Sequence, residues 1–234
     1  MSTPKEEQAP VSLDTTTAVP IPPRSFFKAT SIPSKRPPGW VCVRFVFTPT
    51  SEESLDDPQD LLIHYSDFFR GALTGSIKEA AESKISLPDE RADVFEIFNH
   101  FIYTRSLADS EDHKIAWELL VETWFFGDQR LIPSLQYIAM DELTKKNNIE
   151  EETPTTQIKK FWNRTLPAAP LRKVILDLVV YKAAIDIVFY ERWPQEALVD
   201  LIKTVYHKED TAKRHSMPTR DKCYYHVHNE GQHC

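Results

Sequence analysis

The residues best suited to chemistry crowd the C-terminus, where Cys223, His226, His228, His233 and Cys234 fall within twelve positions. Thiolate and imidazole are ligands that zinc prefers, and a structural zinc takes four of them in a closed tetrahedron at about 2.0–2.3 Å. The Cys223-x2-His226 spacing lets two ligands converge across one tight turn. His226 and His228 share a face if the chain is extended, and Gly231 lets it turn back to bring in Cys234. Cys223, His226, His228 and Cys234 are therefore the candidate zinc ligands. With no open position, such a site would clip the terminus structurally and fold it when metal binds. The alternatives are a solvated tail, His233 as a competing ligand, and a Cys223–Cys234 disulfide under oxidation.

Catalysis has little else to draw on. His64, His100 and His113 lie on or beside amphipathic stretches, where a histidine is far more often packed or solvated than catalytic. The five glycines form no phosphate-binding loop, dinucleotide fingerprint or nucleophile elbow. An enzyme is not expected; a zinc-dependent one would need a tail site with fewer than four protein ligands. Direct nucleic-acid binding is not expected either. The basic run of Lys203, Lys208, Lys213, Arg214, Arg220 and Lys222 has no recognition helix or stacking platform, and the whole chain carries a formal charge of -7.

At 234 residues and 41% hydrophobic, the chain can bury one ordinary core with appendages or two small domains. It has no run near the roughly 18 apolar residues a membrane span needs and no signal-peptide pattern. Three scattered cysteines suit a reducing compartment. The expectation is a soluble intracellular protein, cytoplasmic or nuclear, without membrane contact.

Residues 1–38 hold eight of the seventeen prolines, so this stretch is expected to be a disordered Pro/Ser/Thr-rich tail. Val41–Phe47 reads as a strand, and Thr48–Pro58 as a loop or poor edge strand. Leu61, Leu62, Tyr65, Phe68, Phe69, Ala72 and Leu73 recur at helical spacing, Lys84–Leu87 alternates as a strand stopped by Pro88, and Val94–Ile102 is amphipathic. Two further helices are expected, over about 113–126, interrupted by Gly127, and over about 132–145. A polar boundary at 147–155 precedes a helical extension over 155–208. Its last helix opens at Pro194 and points Leu198, Leu201, Ile202 and Val205 inward. Residues 209–234 are expected to be a flexible Cys/His-rich tail.

Several pieces fall in a telling order: Ser66-Asp67-Phe68-Phe69, then Glu79 with Ile85-Ser86-Leu87, then Val94-Phe95 and Ile102-Tyr103-Thr104, and finally Phe125–Asp128 through Ile132–Leu135. Together they resemble the BTB (POZ) domain over about residues 40–146, most closely its divergent fungal type with a helical extension. The resemblance implies an α+β fold, a small sheet flanked by a helix cluster with an α-helical C-terminal extension. It also implies a protein-interaction function, as homo- or hetero-oligomer or as substrate adaptor for a cullin-based ubiquitin ligase. Ile77-Lys78-Glu79 is similar to the hydrophobic-x-Glu motif by which such adaptors dock on cullin, making Ile77, Lys78 and Glu79 the implied partner-binding residues. The rival is a self-associating scaffold or co-regulator binder without ligase contact. Pro58 and Gln59 replace the family's usual His-Lys pair, and Trp40–Phe47 lacks its Asp-Val pair. Both departures touch the contacts through which some members dimerise.

Overall fold

A computed structural model describes residues 42–47, 54–76, 78–108, 115–150, 155–181, 190–206 and 220–226. The fold is α+β, mostly helical with a three-stranded sheet. Strand β1 (Cys42–Val46) is central, flanked by antiparallel β2 (Ser54–Pro58) and parallel β3 (Lys84–Ser86), with Phe45 level with Leu55 and Ile85. Val43 and Phe45 are fully buried while Arg44 between them is exposed, so the alternation turns one sheet face into the core. The Ser54–Pro58 half of the expected loop or poor edge strand is an edge strand. It ends at a proline, which has no N–H to give the ladder.

Helices α1 (Gln59–Tyr65) and α2 (Asp67–Thr74) are separated by buried Ser66, whose Oγ accepts from Phe69 N at 3.0 Å and caps α2. The same hydroxyl donates to the Arg130 carbonyl at 2.6 Å, tying the helix pair to a turn 64 residues away. The short α3 (Lys78–Glu82) leads into β3, and α4 (Ala92–Thr104) follows with Val94, Phe95, Phe98, Phe101 and Ile102 buried. Then come α5 (Trp117–Gln129) and α6 (Pro133–Glu150), a tightly packed pair. Phe45 meets Phe95 at 4.4 Å, and Phe98 meets Phe126 at 5.1 Å, so one aromatic seam runs from sheet through α4 to α5.

Two expectations are corrected here. Gly127 does not interrupt α5 but lies inside it. A Cβ there would stand 2.8 Å from Gln136 Cγ and 3.3 Å from the Ile132 carbonyl, so glycine serves close approach to α6 rather than chain reversal. The helix expected over about 132–145 is also longer than its apolar stripe, running from Pro133 to Glu150 and into the polar stretch that begins at 147.

The extension contains α7 (Ile158–Arg164), α8 (Pro170–Tyr181) and α9 (Gln195–Tyr206). It shares one core with the preceding body, which includes Phe126 and Val121 as well as Phe161, Val174 and Ala197. Arg172, 3% exposed, holds the extension together. Its Nε donates to Thr165 Oγ1 at 2.7 Å and its Nη2 to the Trp162 carbonyl at 2.9 Å, while Nη1 pairs with Glu196 and lies 3.6 Å from Asp200. That pull turns the Glu196–Asp200 flank of α9 inward with Ala197. Ile202 and Val205, expected inward, are instead 67% and 52% exposed, whereas Leu198 and Leu201 pack against the core. No helix among the described residues is long and apolar enough to cross a membrane.

Replacing fully buried Phe98 by Ala should cost about 3–5 kcal/mol of unfolding free energy, while Leu166→Ala, at a position 80% exposed, should stay within about 0.5 kcal/mol. Urea denaturation of the two variants measures both.

Candidate functional site

The short helix α3 buries none of its residues. Lys78 is exposed and lies 3.7 Å from Glu82 one turn on; Glu79 is half-buried, and Ile77 lies outside the described residues. The helix stands between α2, which ends at Gly75, and Ser83, whose backbone takes a positive φ of 48°. The Ser83 carbonyl then accepts from Arg44 N at 2.9 Å. A five-residue helix moored to the central strand therefore presents Lys78 to solvent, with Glu79 half-buried beside it.

The Cys/His segment is described as far as residue 226, with His228, His233 and Cys234 outside. Lys222–Tyr225 forms a 3-10 turn opened by Asp221, whose carboxylate accepts from Cys223 N at 2.8 Å, and closed by His226 N donating to the Cys223 carbonyl at 3.1 Å. Cys223 is a half-buried free thiol. The turn is seated on α6 and α8 by side chains that sequence inspection had not singled out. The Tyr225 hydroxyl donates to Asp177 Oδ2 at 2.6 Å, and Arg220 Nε lies 3.5 Å from the same oxygen. Burial pushes the Asp177 carboxyl up, only partly offset by Tyr225 and Arg220, and burial likewise pushes the Tyr225 hydroxyl up. The His226 ring stacks on Tyr137 at 4.8 Å, with Nε2 3.1 Å from Asp141 Oδ1. Any metal taking His226 at Nε2 would have to displace Asp141. Among the described residues, no three His, Cys, Asp or Glu side chains gather as a metal would require.

A third locus is a polar cleft of about 500 Å³ where the loop before α4 meets α5 and α7. Four cations line it. Arg130 pairs with Glu90 at 2.7 Å; Arg91 pairs with Glu118 at 3.1 Å; Lys160 and Arg164 grip the two oxygens of Glu122 at 2.6 and 2.7 Å. Rings fix the guanidinium planes, with Arg164 3.9 Å over Phe125 and Arg130 4.6 Å over Phe68. Burial pushes the Glu122 carboxyl up, but the hydrogen bonds and charges of Lys160 and Arg164 together outweigh it and hold the carboxyl below its usual range. The lining includes no Ser, Thr, Cys or His. These charges neutralise one another and fasten α7 to α5.

Of the three histidines weighed for catalysis, the two described ones lie on different helices. His64 is exposed, edge-on to Tyr65; His100 is half-buried in α4; His113 lies outside the described residues. Glu122 and Asp177 were missed, although each interrupts an apolar run (Leu119–Phe126, Val174–Val180), which is a usable signal of a buried polar group with a partner; Arg172, beside Lys173, carries no such signal.

Glu122→Gln should lower stability at pH 7 by about 1–2 kcal/mol, less than a fully buried pair loses because Lys160 and Arg164 are partly exposed. Since the folded carboxyl titrates below the unfolded one, its contribution is present above the unfolded value and lost as pH falls through the folded one. The variant's deficit should therefore shrink toward pH 3, as read from paired thermal melts. No model of a known protein family matches the chain, and no curated protein matches it either.

Proposed function

We propose that the chain is a BTB/POZ-like protein-interaction module acting as substrate adaptor for a cullin-based ubiquitin ligase, with Ile77, Lys78 and Glu79 on the cullin side. The observation that carries this reading is α3 itself, a surface helix that buries none of its residues yet is tied to the central strand just past its end, where Arg44 N donates to the Ser83 carbonyl at 2.9 Å. A short helix left largely at the surface and anchored at its end suits recognition, since less ordering entropy remains to be lost on docking. The element order supports the family assignment: two antiparallel strands, a helix pair whose second member is capped by Ser66, a short surface helix, a parallel strand, then an amphipathic helix. Zinc belongs to the same proposal as a structural clip on Cys223, His226, His228 and Cys234. The turn that brings Cys223 and His226 one after the other supports it.

Purified cullin N-terminal domain should retain the wild-type chain on beads. The double substitution Ile77→Ala/Glu79→Ala should cut recovery about tenfold or more, equivalent to about 1.4 kcal/mol. Equal recovery of both proteins, or none of either, counts against the adaptor. Protein purified with zinc present should carry one equivalent by atomic emission, and Cys223→Ser should lose it. Metal-free wild type refutes the clip.

A further inference from the structure

Helix α9 turns an apolar stripe to solvent. Val199, Ile202 and Val205 are 42%, 67% and 52% exposed, and their spacing of three and six residues places them along one side. Exposed aliphatic residues grouped this way mark contact surfaces more often than singly scattered ones do. The residues that follow, 207–219, include only Ala212 and Met217 as apolar side chains, so they are poorly suited to cover it.

The charges beside the stripe discriminate among occupants. Glu196 and Lys203 stand seven residues, about two turns, apart on the same flank of the helix. Glu196 remains half-exposed while holding Arg172, and Lys203 is exposed. In an antiparallel pair of these helices with a two-fold axis beside Val199, each Glu196 meets the partner's Lys203, and the two Val199 side chains meet each other. A parallel pair would oppose like charges. A patch complementary to itself under a two-fold axis is what an isologous dimer requires.

We propose that this face of α9 joins two copies of the chain in an antiparallel helix-to-helix contact. The contact is distinct from α3, so a dimer would present two copies of the α3 surface. A single pair of short helices makes a small interface, and the association is of the weak, concentration-dependent kind.

Sedimentation and light scattering of the full chain at about 5 and about 200 μM, bracketing a micromolar Kd, test it. The wild-type mass should rise toward the dimer with concentration. Ile202→Glu, a change at an exposed position, should stay monomeric throughout with an unchanged circular-dichroism melt. Lys203→Glu should weaken association about tenfold by opposing two carboxylates across each flank. Val199→Cys should give an oxidised covalent dimer that Leu166→Cys does not. Should Ile202→Glu fold poorly, the Lys203 and Val199 variants decide the matter. A wild-type monomer at the upper concentration overturns the proposal, as does a dimer indifferent to both Ile202→Glu and Lys203→Glu. Cullin capture uses α3 and should persist in Ile202→Glu, so loss of the dimer and loss of the adaptor are separately visible.

Discussion

The fold depends on one helix being buried from two sides. Along α5, Phe126 packs against Phe98 of α4, while its neighbour Phe125 faces Phe161 of α7 at 6.5 Å. Trp117, Leu120, Val121 and Trp124 are buried as well, so α5 has little polar surface to give to water. A helix apolar nearly all round is stable only inside a core. Helix α4 covers one side of α5, and α6 with α7 of the extension covers the other. The extension is therefore part of the first body's core rather than an appendage. Gly127 follows from the same constraint, because it lets α6 come close enough to close that side.

Three polar groups that enter this core are held by partners from other elements. Glu122 on α5 is gripped by Lys160 and Arg164 of α7, Arg172 binds the turn before α8 and two carboxylates of α9, and Asp177 receives Tyr225. Breaking one partner of such a pair strands the other, so these contacts fix how elements are rotated against each other as well as whether they pack. The rotation of α9 is the clearest case. Satisfying Arg172 takes the Glu196–Asp200 flank inward and leaves Ile202 and Val205 outside.

This explains what was legible in the chain. The core face of α4 could be read from Val94 to Ile102 because its apolar residues recur at helical spacing and pack on the same side. The Ser66 cap could be read as a helix start, but its bond to the Arg130 carbonyl could not, since periodicity carries no information about a partner 64 residues away. Gly127 was misjudged because a glycine needed for close approach looks the same in sequence as one that breaks a helix. Ile202 and Val205 were misjudged because periodicity gives the width of an apolar stripe, while distant Arg172 decides which edge of it faces in. At the candidate sites, Lys78 is exposed and Glu79 half-buried on α3, and Cys223 and His226 share a turn. The side chains that seat that turn, Asp177, Tyr137 and Asp141, come from helices distant in sequence.

The functional account turns on whether α3 is where a cullin binds. Hydrogen exchange of the full chain, alone and saturated with the cullin N-terminal domain, measures this directly. The account expects slower exchange on complex formation at Lys78–Glu82 and the adjoining end of α2, with α9 unaffected. Unchanged exchange across α3, or slowing confined to another surface, would contradict it.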